Sequence, residues 1–110
     1  MNPNHSWSTE DTIAALATSS SPGGIGIVRI SGPESKAIAN RLFQIHEQTI
    51  KPRYAHVGMI VSDSGEHLDQ GVLLWWPGPR SYTGEDVVEL HGHGGTVNMR
   101  RILQAVYACG

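Results

Sequence analysis

The chain has 110 residues, of which 39% are hydrophobic and 16% charged, and its formal net charge is −2. This length allows a single hydrophobic core, and the composition is that of a folded globular module rather than a disordered chain. A domain that grips a nucleic-acid backbone unaided usually carries a basic stripe, which is not evident here. If RNA is a partner, we expect another part of the protein to hold it.

The single cysteine and the polar N-terminal residues indicate the cellular compartment in which we expect the protein. The single cysteine, Cys109, rules out an internal disulfide and favours a reducing environment. Residues 1–10 are polar and lack the apolar stretch of a signal peptide, so we expect a flexible tail there. No apolar run approaches the length of a membrane span. Together these features predict a soluble, cytoplasmic protein.

Two strands and a helix are predicted in the first half of the chain. Residues 11–18 form a short apolar run, DTIAALAT, which predicts the first strand, and residues 19–24 form a loop rich in serine, proline and glycine. Residues 25–30, IGIVRI, have β-branched side chains on both pleat faces, which indicates an interior strand. The S-x-x-E spacing from Ser31 to Glu34 then predicts a capping box and a helix.

The second half is predicted to form three strands and a closing helix. Residues 54–62 and 70–76 have the pattern of a hairpin, and residues 86–92, DVVELHG, form a further strand. Thr96 is a candidate N-cap for the last helix. The apolar residues of that helix fall on one face, at Met99, Ile102, Leu103 and Val106. The order β-β-α-β-β-β-α predicts an α/β (α+β) domain, a mixed β-sheet with helices packed on it.

Two isolated charges stand out in otherwise apolar strands. Arg29 lies in IGIVRI, and Glu89 lies in DVVELHG on the same pleat face as His91. Burial of either charge alone is costly, so each needs a partner. A structural ion pair, or strand ends that reach water, would satisfy this need. A polar ligand would satisfy it as well, since a guanidinium clamps a carbonyl or carboxylate and a carboxylate accepts the paired N–H donors of a pterin or guanine.

His91 and His93 form a second candidate cluster. Two histidines at i and i+2 of a strand point to the same face and could supply two metal ligands. A zinc site needs at least one more ligand, and the candidates have no recognisable spacing: Asp86, Glu89, His56 and His67. Alternatively, the strand simply ends at a glycine turn before the last helix, whose free N–H groups could hold an anion. Base rates favour this structural interpretation, and no metal ligand is assigned.

Trp75 and Trp76 are adjacent, so they face opposite sides of the predicted sheet. If one side of the sheet has no helix, the tryptophan on that side is a natural anchor for a subunit interface.

Recognisable catalytic motifs are absent from the sequence. No G-x-x-x-x-G-K-[ST] phosphate loop occurs, and residues 23–26, GGIG, precede a strand instead of opening a helix. No serine, cysteine or threonine lies in a known nucleophile motif. We therefore expect no catalytic residue and no complete enzyme in this stretch alone.

Four segments together resemble the N-terminal domain of the bacterial tRNA-modification GTPases of the MnmE or TrmE family. In chain order they are DTIAALAT, GGIGIVRISGP, KPRYAHVG and LDQGVLLWWPGPRSYTGEDVVELHGHGG. The segments lie between residues 11 and 95, and the resemblance in order and spacing covers residues 11 to about 107. The resemblance implies a domain similar to the folate-binding part of the glycine-cleavage aminomethyltransferase. Here it would span residues 11–110, be truncated at its C-terminal end, and lack the family's helical and GTPase domains.

The resemblance also implies a ligand and its contacts. In the family this domain dimerises and binds 5-formyl- or 5,10-methylene-tetrahydrofolate near the dimer interface. The family's R-I-S-G arginine matches Arg29, the glutamate of its G-E-D-V-x-E matches Glu89, and both are folate contacts there. A third, basic contact would lie beyond Gly110. The family's Pro-Pro-Gly turn is replaced here by residues 19–22, SSSP, which leaves the shape of this loop open.

For the complete protein, the resemblance implies a potassium-activated GTPase that binds GTP, Mg²⁺ and K⁺ at sites outside this chain. With an FAD-dependent partner of the MnmG/GidA type, it would add an aminomethyl-type group to C5 of the wobble uridine of tRNA, with the folate supplying the one-carbon unit. Two alternatives stay open: a dimerisation or interaction module without a ligand, and a small metal-dependent hydrolase that uses His91 and His93.

Overall fold

The computed structural model describes residues 12–17, 24–45, 49–79 and 84–109. These ranges contain six strands and two helices, in chain order β1 Ile13–Leu16, β2 Ile25–Ser31, α1 Ser35–Leu42, β3 Phe43–Ile45, β4 His56–Val61, β5 His67–Trp76, β6 Val87–His93 and α2 Thr96–Ala108. The predicted tail and the serine-rich loop at residues 19–22 lie outside the described residues.

The described strands form one sheet in the order β1-β2-β6-β5-β4-β3. The last strand of the chain, β6, returns to the middle of the sheet and pairs with β2 and β5, so that Arg29 lies directly opposite Glu89. The α+β class, with helices packed on a sheet, is confirmed. The expectation of mixed strand directions is not met within the described strands, where every pairing is antiparallel. A short turn joins β4 to β5, and the consecutive strands β5 and β6 pair directly; two consecutive strands that pair through a chain reversal are antiparallel.

Both helices pack on one face of the sheet, which we call the covered face. Strand residues point alternately to this face, and the apolar side chains among them join those of the helices in one core. The fully buried members of this core include Val28, Ile30, Leu73, Leu90 and Ile102. Helix α2 lies so close to β2 that a Cβ at Gly26 would come within 2.2 Å of the sulfur of Met99. The glycine therefore lets the helix seat directly on the strand.

The predicted helix starts were wrong at both helices. Ser31 is the last residue of β2, paired with Val87, and α1 begins at Ser35 with no side-chain cap from Glu34. Thr96 is the first residue of α2 rather than its N-cap. Ser31 lies four residues before the first residue of α1, and its hydroxyl donates to Oε2 of Glu85 over 3.5 Å, so it does not cap the helix as its local spacing suggests.

Strand β3 was not predicted. The i, i+4 spacing of Ile38 and Leu42 predicts an apolar helix face with Phe43 beside it, but the chain passes directly from α1 into β3 at Phe43. Phe43 pairs with Ile60 and is buried in the core. A strand of three residues with no turn residue before it has no signal of its own in the sequence.

Candidate functional site

The face of the sheet opposite the helices, called the open face here, carries the candidate residues. Within the described part of the chain neither helix packs on it. Alternation and register assign its central positions to Ile25, Ile27, Arg29, Val72, Leu74, Trp76, Val87, Glu89 and His91. Arg29 and Glu89 are the ionised groups at the middle of this surface, so the two residues predicted from their isolation in apolar strands lie side by side.

Arg29 and Glu89 form an ion pair across β2 and β6. The Nε and Nη2 atoms of Arg29 donate to Oε2 of Glu89 over 3.0 and 2.7 Å. The glutamate side chain is 5% exposed and the arginine side chain is 39% exposed, so the pair has a buried carboxylate with its cation on the solvent side. The prediction that each charge needs a partner is confirmed. Such a pair is weak evidence for stability, because desolvation of the carboxylate offsets much of the attraction.

His91 contacts the other oxygen of the same carboxylate. Its Nε2 atom lies 2.9 Å from Oε1 of Glu89, on the same strand and the same face. An ionised carboxylate only accepts hydrogen bonds, so Nε2 of His91 carries the proton and donates it. The i, i+2 spacing of Glu89 and His91 is the signal of this contact in the sequence, but it predicts only that the two residues share a face and not that they are bonded. Glu89 is thus held by Arg29 on one oxygen and by His91 on the other.

His93, the other histidine of the predicted cluster, contacts a different carboxylate. Its Nδ1 atom lies 2.8 Å from Oδ1 of Asp69, and its backbone N–H donates to Oδ2 over 2.7 Å. The side-chain amide of Asn98 donates to the same Oδ2. Burial raises the pKa of the Asp69 carboxyl, but the hydrogen bonds from His93 and Asn98 outweigh burial and hold that pKa below its usual value.

The predicted metal candidates are therefore dispersed. His91 and His93 are turned to separate carboxylates, Glu89 and Asp69. His56 is buried and accepts the backbone N–H of Lys51 at its Nε2 atom. Among the residues with described positions, no group of three or more histidine, cysteine, aspartate or glutamate side chains could hold a metal ion.

The two tryptophans face opposite sides of the sheet, as predicted. Trp75 packs against the core on the covered face, with the ammonium of Lys36 4.3 Å from its ring centre. Trp76 lies on the open face, where it is paired with Val87. Large apolar side chains are also exposed on this face, with Ile25 at 70% and Val57 at 69%. Whether Trp76 anchors a subunit interface stays a prediction.

A groove of about 550 Å³ lies on the open face at the β3 side of the sheet. Its lining consists of Gln44, Ile45, Val57, Gly58, Met59 and Gln70. Its lining includes neither Arg29 nor Glu89, so this groove and the ionised cluster are separate features. The cluster is the stronger candidate site, since a buried carboxylate with two polar partners has defined chemistry and the groove offers mainly apolar surface.

Neither described helix has the length and apolar character needed to cross a membrane.

Comparison with known proteins identifies the family to which the sequence is similar. Residues 12–110 match the family model described as the GTP-binding protein TrmE N-terminus. The tRNA modification GTPase MnmE of Bordetella petrii is 50% identical over 103 residues, which is 94% of this chain and 22% of that protein. The MnmE of Stutzerimonas stutzeri is 56% identical over 94 residues, or 86% of this chain and 20% of that protein. The chain thus spans about a fifth of the length of these curated relatives.

Proposed function

The chain belongs to the TrmE N-terminal family, and from this membership and the site we propose that it is a module that binds a reduced folate and dimerises within a tRNA-modifying GTPase. The observation that carries the proposal is the carboxylate of Glu89, buried on the open face between Arg29 and His91. Both residues predicted as folate contacts belong to this cluster.

The chemistry of the cluster fits a pterin ring. The ring presents an amino group, an adjacent ring N–H and a carbonyl along one edge. A carboxylate accepts N–H donors, and a guanidinium donates to a carbonyl or carboxylate oxygen. Glu89 and Arg29 supply these two functions next to each other, and the arginine reaches solvent. The proposed ligand is 5-formyl- or 5,10-methylene-tetrahydrofolate, which supplies a one-carbon unit when bound.

Dimerisation is proposed through the open face. Ile25 and Val57 expose most of their apolar surface there, and Trp76 lies on the same face. Burial of exposed aliphatic side chains against a second copy would be favourable, by about 25 cal/mol for each square ångström of apolar surface. The ligand cluster lies between these apolar positions, so a second copy would also limit access of water to the ligand.

For the complete protein, we propose the family's reaction. Together with an FAD-dependent partner of the MnmG/GidA type, it would add an aminomethyl-type group at C5 of the wobble uridine of tRNA in the cytoplasm. The GTP, Mg²⁺ and K⁺ sites would lie in domains outside this chain. No described residue of this chain is assigned a catalytic role.

Calorimetric titration of 5-formyltetrahydrofolate tests the ligand assignment. We expect Glu89→Ala and Arg29→Ala each to weaken binding about tenfold or more, because each removes a charge-assisted hydrogen bond. Glu66→Ala is the matched control, since it removes an exposed carboxylate paired with Arg101 on another part of the surface. Absence of binding by the wild type, or equal loss in the control, would overturn the folate assignment.

Sedimentation of the variant Ile25→Asp tests the dimer. A charge placed at this exposed position should shift the chain toward monomer without unfolding it, because the residue makes few contacts of its own. An unchanged dimer would place the interface elsewhere. If the chain dimerises but binds no folate, the alternative function, a dimerisation or interaction module without a ligand, would be favoured.

A further inference from the structure

We propose that His91 is a positioning residue for the ligand site and acts through Oε1 of Glu89. The inference rests on the proposed function, because it assumes that Glu89 accepts N–H donors from a bound heterocycle. It adds to that function the residue that holds the accepting oxygen in place.

The donors around Glu89 are divided unevenly between its two oxygens. Oε2 accepts two N–H groups, both from Arg29. Oε1 accepts one, from Nε2 of His91. A carboxylate oxygen has about two acceptor positions. Counting donors from the described residues alone, Oε2 is filled and Oε1 has one position left. A ligand N–H that reaches Glu89 without displacing Arg29 is therefore accepted beside His91.

His91 also determines how the carboxylate is turned. The terminal torsion of a glutamate is broad and roughly two-fold, so Arg29 on Oε2 does not by itself fix the plane of the group. A second donor on Oε1 restricts the rotation. The side chain of Glu89 is almost fully buried, so water has little access to replace a lost donor. Loss of His91 would thus leave the accepting oxygen less well oriented for a ligand.

The cross-strand neighbours of His91 cannot replace it as a donor to Glu89. His91 lies opposite Ile27 on β2 and opposite Val72 on β5, so its neighbours across the sheet are aliphatic. Those two residues have no side-chain donor that could take over. His93, two residues further along the strand, donates to Asp69 instead.

Two substitutions separate the donor from the bulk of the ring. His91→Leu retains a side chain of roughly similar bulk and removes the N–H, whereas His91→Gln retains a side-chain N–H. We expect His91→Leu to weaken the binding of 5-formyltetrahydrofolate about tenfold and His91→Gln to change it less than about threefold. Equal weakening by both variants, or none by His91→Leu, would overturn the inference.

A ligand analogue shows whether the effect passes through Glu89. An otherwise identical folate that lacks the 2-amino group presents one N–H fewer to the carboxylate. The loss caused by His91→Leu should shrink to less than about threefold for this analogue, since coupled contacts are not additive. The same loss for both ligands would show that His91 acts by some other route and would overturn the positioning role.

The contact itself can be measured without ligand. Nitrogen-15 NMR of the His91 ring should show the proton on Nε2, and Glu89→Gln should shift this resonance while Glu66→Gln should not. A proton on Nδ1, or a resonance indifferent to Glu89→Gln, overturns the inference whether or not folate binds. If the wild type binds no folate while the ring behaves as expected, the proposed function fails, and the ligand role of His91 fails with it.

Discussion

Glu89 and Asp69 lie on neighbouring strands, and each carboxylate is bound by a histidine of β6, yet their partners differ in kind. Asp69 accepts the backbone N–H of His93 and the side-chain amide of Asn98, both from the segment where β6 ends and α2 begins. Glu89 accepts from the side chains of Arg29 and His91, on the surface of the sheet. Asp69 is bound to the backbone at a strand end, whereas Glu89 is bound to two side chains on the open face.

Under the proposed function, this difference separates a structural carboxylate, Asp69, from the proposed binding carboxylate, Glu89. A backbone N–H cannot move away without a change of the fold, so a ligand cannot take its place at Asp69. A guanidinium on a long side chain can move, so a ligand can share or replace its hydrogen bonds with Glu89. Burial alone did not distinguish the two, since both side chains are largely shielded from solvent.

The largest expected effect is on stability, at Asp69. Asp69→Ala should lower the free energy of unfolding by about 3 kcal/mol, because it leaves the His93 N–H and the Asn98 amide without their acceptor. Glu89→Ala should cost about 1 kcal/mol, since the released guanidinium of Arg29 can be hydrated. Urea denaturation at one fixed protein concentration measures both values. An equal cost for the two variants, or a reversed order, would remove the distinction.

The stabilising contribution of Asp69 should depend on pH. The pKa of Asp69 is below its usual value in the folded chain, so its stabilising contribution is present above the unfolded pKa of about 4 and is lost as the pH falls through the folded pKa. We expect the difference in unfolding free energy between the wild type and Asp69→Asn to be constant near neutral pH and to shrink below about pH 4. A difference that grows on acidification would contradict this assignment.

The candidacy of Glu89 as a site residue could be predicted from the sequence, and the identity of its partners only in part. Arg29 and Glu89 stood out because a lone charge in an apolar strand demands a partner. Their mutual pairing depends on the return of β6 beside β2, which brings together residues 60 positions apart and has no local signal. The same long-range pairing drew Ser31 into β2 and made the predicted capping box wrong. Local residue spacing does not predict the start of a helix where long-range sheet pairing determines the backbone conformation.

The smallest effect is expected at an exposed pair. Arg101 and Glu66 lie 3.2 Å apart with both side chains largely in water. Arg101→Ala should change the free energy of unfolding by about 0.5 kcal/mol or less, and 0.5 M salt should abolish even that difference. A loss comparable to that of Asp69→Ala would mean that surface charges stabilise this chain far more than their exposure allows.

The most direct test of the central claim is a nitrogen-15 NMR titration of the chain with 5-formyltetrahydrofolate. If Glu89 is the binding carboxylate, the largest shifts will fall on β2 and β6 around Arg29, Glu89 and His91, and the amide of His93 beside Asp69 will change little. Shifts centred on Asp69 and the start of α2, or on the groove near Val57, would contradict the account.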